Sequence, residues 1–333
     1  IPDAEFAMFE LRASFVTIDG LSVKNAVIFG GVKRDNGVWA NRGGSQCIRV
    51  LGPNVQQVTI RNCKVTNCLS SGIAVWGYSG KNNFTGATDI LIENNEVAYA
   101  VVNGWDEHIT VGGGVDRFII RNNLIHHGGH NGCIGIDAKV TARNGKIYGN
   151  TIHTTVSNGI YVDGWNDLCY NIDIFNNKIY GVYTAIAVGA EAGGTVYNLN
   201  IYNNVVYDVT IAGVQVSGVG EGGIANSVSD VRVYNNTVFS SGDAVMVYGK
   251  TPGLIIKNNI FSENEAVNGV FLLTTNKPNV TVDRNVVYTN RHRNNISGME
   301  EIEGTNAIIT NPKFISTTVG SYNFHLQSSS PAI

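Results

Sequence analysis

Residues 119–129, IIRNNLIHHGG, hold a four-residue signature, IRNN at position 120, that is repeated along the chain. It appears as IRNC at 60, IENN at 92, IYGN at 147, IFNN at 174, IYNN at 201, VYNN at 233, IKNN at 256 and VDRN at 282. From the first copy to the last the intervals are 32, 28, 27, 27, 27, 32, 23 and 26 residues. A short apolar pair follows each copy, as in NEVAYA, NLIHHG and NTIHTT. A second strand-like run comes next: GIAVWG, HITVGG, GIDAK, GIYVDG, AIAVGA, GVQVSG, AVMVYG and GVFLLT.

Each unit therefore carries about three short strands divided by Gly and Asn turns. No stretch sustains a helical apolar period, so helices should be few. Asn accepts left-handed backbone and bonds its neighbours, which suits a corner repeated every coil. Stacked Asn side chains can also form a ladder. The pattern predicts an all-β chain: a single-domain right-handed parallel β-helix of about ten coils around one apolar core. A propeller would need about 40–45 residues per blade, and a leucine-rich repeat its own consensus. The helix is expected over residues 1–310, with 311–333 as a C-terminal cap or tail.

Composition narrows the function. Charged residues are 15%, Pro is 6 of 333, and the net charge is −3, so neither disorder nor a basic nucleic-acid surface is expected. No apolar run is long enough for a membrane span. The chain begins at Ile1, which reads as a processed or trimmed start. Five cysteines (Cys47, Cys63, Cys68, Cys133, Cys169) lack metal-type spacing and read as small buried apolar residues. Three Asn-x-Ser/Thr sites, at Asn83, Asn279 and Asn295, carry no weight in an Asn-rich chain.

Aligning the second strands gives two inward columns, one of Ile73, Ile109, Ile136, Ile160, Ile186, Val214, Val245 and Val270, the other of Val75, Val111, Ala138, Val162, Val188, Val216, Val247 and Leu272. Alternation then sends two columns outward. One runs Ala74, Thr110, Asp137, Tyr161, Ala187, Gln215, Met246, Phe271; the other runs Trp76, Gly112, Lys139, Asp163, Gly189, Ser217, Tyr248, Leu273. Asp163 falls beside Lys139, about 4.8 Å away laterally. His108 precedes Thr110 by one outward step, Asp106 and Glu107 lead into that strand, and Glu191 closes the strand beyond Asp163. Charge is scarce in this chain, so its concentration on the central coils marks a candidate site. The plain alternative is a surface salt bridge worth under about 1 kcal/mol. His126, His127 and His153 lie at corners and read as structural; HHGGH (126–130) is a poor metal site because consecutive turn residues seldom converge on one ion.

The chain resembles the pectate-lyase-like superfamily of right-handed parallel β-helix proteins over essentially its full length, and its ending FHLQSSSPAI resembles those of secreted bacterial β-helix proteins. A narrower likeness, GIDAK…GIYVDGW, resembles polysaccharide lyase family nine, with Lys139 and Asp163-Gly164-Trp165 on the matching positions. That resemblance implies a catalytic lysine base and acidic calcium ligands. The departures are Asp137 inside the lysine strand and the lack of a second adjacent acid on the next coil.

Three functions follow. In a polysaccharide lyase cleaving a uronate glycan by β-elimination, Lys139 is the base, Asp137 and Asp163 are its catalytic neighbours, and Asp163 and Glu191 hold Ca²⁺. His108, Tyr161, Trp165, Glu191, Gln215, Trp76 and Tyr248 line sugar subsites. In a glycoside hydrolase, paired carboxylates do the chemistry and Lys139 keeps one of them ionised. In a non-catalytic glycan-binding β-helix, the charges are a salt bridge. Adjacent acids raise a lysine's pKa, which works against the lyase reading. The expected setting is a monomer, secreted or at a bacterial-type cell surface, meeting a polysaccharide rather than nucleic acid or membrane.

Overall fold

The structure is a computed structural model. It describes residues 7–26, 46–77, 85–102, 106–129, 133–220, 223–224, 227–264, 270–273, 279–288 and 299–333. Asn83, Asn295, His130 and much of the loops 78–84 and 221–226 lie outside the described residues.

Among the described residues there is no α-helix, and strands pair in parallel from coil to coil. Each coil has three sides. The coil at the centre runs through a back strand (Asp116–Arg121), a short corner strand (Leu124–His126) and a front strand (Ile134–Lys139). The back strands form one ten-stranded sheet, matching the expected coil number. Front and corner strands merge into a second sheet, because Val205–Gly218 and Thr237–Gly249 run through the corner without a break.

The first inward column is confirmed residue for residue: Ile73, Ile109, Ile136, Ile160, Ile186, Val214, Val245 and Val270 are consecutive partners. These residues and the second column are buried in one continuous core. Such burial, at about 25 cal/mol per Å² of apolar surface, drives stacking of units that could not fold alone.

The turn signature has a mechanical explanation. The first Asn of each pair takes a left-handed backbone, as at Asn94, Asn122, Asn176 and Asn203. The second Asn points inward and stacks. Asn123 Nδ2 donates to Asn150 Oδ1 at 3.0 Å and to Ile92 O at 3.1 Å, while Asn150 Oδ1 also accepts from Asn123 N–H at 3.0 Å. The same pattern carries through Asn177, Asn204, Asn236, Asn259 and Asn285. A buried amide that bonds both ways avoids the penalty of an unsatisfied polar group.

On the corner side His126, His153, Tyr180 and Tyr207 stack at ring separations of 5.2, 4.9 and 4.7 Å. His127 lies edge-on to His126, so the corner histidines serve packing, as expected. The C-terminal hairpin, Phe314–Ser316 with Asn323–Leu326, packs Phe314, Tyr322 and Phe324 onto Tyr207 and Phe239.

Two expectations need correction. Cys47 and Cys68 are not plain core residues; they form a disulfide joining a front strand to a corner strand, whereas Cys63, Cys133 and Cys169 are free and buried. The outward front column is also largely shielded: Asp137 is 1% exposed, Asp163 4% and Tyr161 8%. Lateral packing at strand spacing hides these side chains although they point away from the core.

Candidate functional site

Lys139 and Asp163 are direct register partners, as are Asp137 and Tyr161. The strand pattern thus delivers Asp137, Lys139 and Asp163 to one spot. Lys139 Nζ lies 3.3 Å from Asp137 Oδ2 and bonds closely to Glu107 Oε1 on the preceding coil. Its side chain is 22% exposed, while that of Glu107 is 4%.

Glu107 was not among the expected site residues, and His108 was wrongly among them. Strict alternation puts Glu107 inward with Ile109 and His108 outward. At the start of Glu107–Gly112 the chain does the reverse. The Glu107 side chain reaches Lys139, while His108 is fully buried with Nδ1 3.2 Å from Cys133 Sγ and from Ile134 O, and Nε2 3.2 Å from His126 O. Burial lowers the His108 pKa to about 4, so it is a neutral structural imidazole. A buried carboxylate needs a cation and a neutral imidazole does not, which is why the acid took the side facing Lys139.

Burial disfavours the charged form of Lys139, but Glu107 and Asp137 outweigh it and raise its pKa above the ordinary value. The opposite holds for the acids. Burial pushes the Asp137 carboxyl well up; Lys139 opposes this, and Glu107 and Asp163 add to it. Asp163 is raised to about 7 by burial, against the Trp165 N–H bond to its Oδ1 at 2.6 Å, with the Glu191 charge adding to the rise. One ammonium thus cannot neutralise all the neighbouring carboxylates. Asp137 Oδ1 and Thr110 Oγ1, on paired strands, are buried without a hydrogen-bond partner.

Next to this cluster is a pocket of about 220 Å³ lined by residues that include Tyr161, Gly189, Glu191, Gln215 and Ser217. Tyr161 Oη donates to Glu191 Oε1 at 3.2 Å. Asp163 is not part of the pocket wall but lies two residues beyond Tyr161 and pairs laterally with Gly189, which is. Tyr161, Glu191 and Gln215 are thus brought together.

The other aromatics are further off. Trp76 lies two strands before Lys139, its indole over Gly112, where a Cβ would come within 2.4 Å of the ring. Trp165 sits in the loop after Asp163, 43% exposed. Tyr248, three strands past Asp163, packs against Met246, Phe271 and Ala212.

The acids do not suit calcium, which takes 6–8 oxygen ligands. Asp163 and Glu191 each already engage one oxygen with a protein donor. Among the described residues no three His, Cys, Asp or Glu side chains converge as a metal set.

The fold has solved counterparts. A hyperthermoactive exopolygalacturonase from Thermotoga maritima is 14% identical, with 81% of this chain and 60% of that chain covered at a TM-score of 0.58. The tailspike protein of E. coli bacteriophage HK620, solved with a pentasaccharide, is 15% identical, covering 85% of this chain and 55% of that one at a TM-score of 0.56. The chain therefore spans little more than half the length of these structures, and at such identity the likeness is one of fold. The narrower likeness to family nine lyases finds no support in them. No curated protein matches the chain. A family profile described as a right handed beta helix region matches residues 46–221 and 140–330. With that match over most of its length, and with parallel coils stacked around one core, the chain belongs to the right-handed β-helix family.

Proposed function

We propose that this protein is a glycoside hydrolase that cleaves a polysaccharide bound across the front sheet. The observation that carries the reading is the division of charge. The Lys139 ammonium is tied to Glu107 and Asp137, whereas the Glu191 carboxyl lines the open pocket and Asp163 stands on the neighbouring strand, paired with Gly189 of the pocket wall. A lyase base must lose its proton before it can take one from a sugar, and Lys139 is held protonated. A carboxyl with a pKa near 7 is instead suited to donate a proton at neutral pH.

In this reading Asp163 protonates the glycosidic oxygen as the bond to the anomeric carbon breaks. Glu191 takes a proton from the water that adds to that carbon. The proton on the leaving sugar and the hydroxyl on the other product together balance one water consumed. Lys139 and Glu107 act as positioning residues that fix the charge around Asp137. Trp165, Trp76, Gln215 and Tyr248 are proposed sugar contacts flanking the centre. The solved relatives act on or hold glycans by their descriptions, which supports a glycan as substrate. The Cys47–Cys68 disulfide supports an oxidising, extracellular setting. A monomer is the proposed state.

One assay separates this reading from the lyase. Purified protein is given polysaccharides, and new reducing ends are measured beside ultraviolet absorbance. Reducing ends without the absorbance of a new C=C bond support the hydrolase. Absorbance rising in step with chain cleavage sinks it and restores Lys139 as the base.

A further inference from the structure

The charge on the front face bears on which sugars can sit there. Glu107, Asp137, Asp163 and Glu191 share one stretch of three to four strands with a single lysine, and that lysine is consumed by Glu107 and Asp137. The pocket wall holds one carboxylate, Glu191, and neutral hydrogen-bonding groups from Tyr161, Gln215, Ser217 and Asn158. Among the described residues no Lys or Arg lines it. Lys250, exposed beyond the strand Thr237–Gly249, is not part of the wall. Arg49, on the same face but four strands before Asp163, faces Glu10 at 3.9 Å.

A polyuronate brings one carboxylate per sugar. Held against Glu191, it would meet like charge at short range, with no guanidinium or ammonium among the described lining residues to receive it. A neutral sugar brings what the wall needs. Its hydroxyls donate to carboxylate and amide oxygens and accept from the Gln215 amide and the Tyr161 and Ser217 hydroxyls. We infer that the pocket bounded by Tyr161, Glu191, Gln215 and Ser217 takes uncharged sugars, so that the substrate is a neutral glycan and not a polyuronate. This rests on the hydrolase reading of the same site.

The test is affinity electrophoresis of the intact protein in gels cast with neutral polymers (glucans, mannans, xylans, arabinans, galactans) or with polygalacturonate and alginate, paired with reducing-end assays on the same polymers. At least one neutral polymer is expected to retard the protein, equally at low and high salt, and to be cleaved. The polyuronates are expected to do neither, with or without a chelator. The Glu191→Gln variant, which keeps the side-chain shape and removes a charge, is expected to bind polyuronate at least tenfold more tightly than the parent. Retardation by a neutral polymer without cleavage supports the inference while sinking the hydrolase. Cleavage of a polyuronate overturns the inference while leaving a glycan-cleaving enzyme. Retardation by no neutral polymer overturns the inference.

Discussion

Lys139 Nζ lies 3.3 Å from Asp137 Oδ2, two residues back on the same strand, and the same ammonium holds Glu107 from the coil before. A pair that looks from sequence like an exposed couple on one strand is the visible part of a shielded three-residue network. Its energetics differ accordingly. An exposed pair contributes little, but removing one partner of a buried pair leaves a charge without compensation.

Lys139→Ala should therefore destabilise the protein by about 3 kcal/mol, the lower end for breaking a buried pair. This departs from the sequence-based expectation that an outward lysine can be removed without harm to the fold. Chemical denaturation of parent and variant checks it. Adding Glu107→Gln to Lys139→Ala should recover part of the loss, since no lone charge then stays buried. Equal stability of parent and single variant would show the network to be solvated.

Asp163 sets the pH dependence. Its folded pKa of about 7 lies above the ordinary carboxyl value of 3.8, so the folded state binds this proton more tightly than the unfolded chain. The stability linked to this group is then fully present below the unfolded pKa and is lost as pH rises towards 7. Activity should fall above pH 7 as the acid ionises. Asp163→Asn should abolish turnover and flatten stability between about pH 4 and 7. Hydrolysis rates and thermal melts across pH would report both. A parent rate still rising well above pH 7 would remove Asp163 from the role of acid.

How much of this is legible in sequence depends on how local each feature is. The inward columns follow from register alone, and the pairing of Ile136 with Ile160 and of Lys139 with Asp163 falls where one repeat offset places it. The Asn ladder is legible for the same reason. His108 and Glu107 are not, because a strand end can drop the two-residue alternation when burial of charge demands it. Cys47–Cys68 is not, because it links different sides of the solenoid and no repeat offset relates the two residues. The shielding of Asp137 and Tyr161 is lost on a period argument, which gives direction and not what lies alongside.

The ladder itself can be tested at Asn150. Its Nδ2 donates to Ile120 O and Asn177 Oδ1, and its Oδ1 accepts from the main-chain and side-chain amides of Asn123. Asn150→Ala removes these bonds at once and strands buried partners on both sides. At about 1–3 kcal/mol per unsatisfied group, the loss should exceed 3 kcal/mol and place the variant near the limit of folding. Yield of soluble protein and the urea midpoint are the readouts. A neighbouring control, Asn171→Ala, removes two exposed bonds, to Asn144 and from Asn198, at a left-handed backbone position and should cost only about 1 kcal/mol. Similar losses at the two positions would mean that the buried column is not what holds the coils in register.

The metal question has a direct answer in solution. Asp163 Oδ1 accepts from the Trp165 N–H and Glu191 Oε1 from Tyr161, and the oxygens left on two carboxylates fall short of the 6–8 that calcium takes. The excess negative charge is met instead by Lys139 and by protons on Asp137 and Asp163, whose raised pKa values express that demand. Cleavage should thus survive exhaustive chelation, and added Ca²⁺ should shift neither the rate nor the melting temperature by more than the scatter. Both readings are needed. A melting temperature that rises with Ca²⁺ while the rate stays constant would place an ion elsewhere on the coils. A rate abolished by chelator and restored by Ca²⁺ would place it between Asp163 and Glu191, where it would also supply the positive charge that a uronate requires. That single result would reverse the assignment of Lys139, the choice of hydrolysis and the neutral substrate together, because all three rest on Lys139, committed to Glu107 and Asp137, being the one cation near this pocket among the described residues.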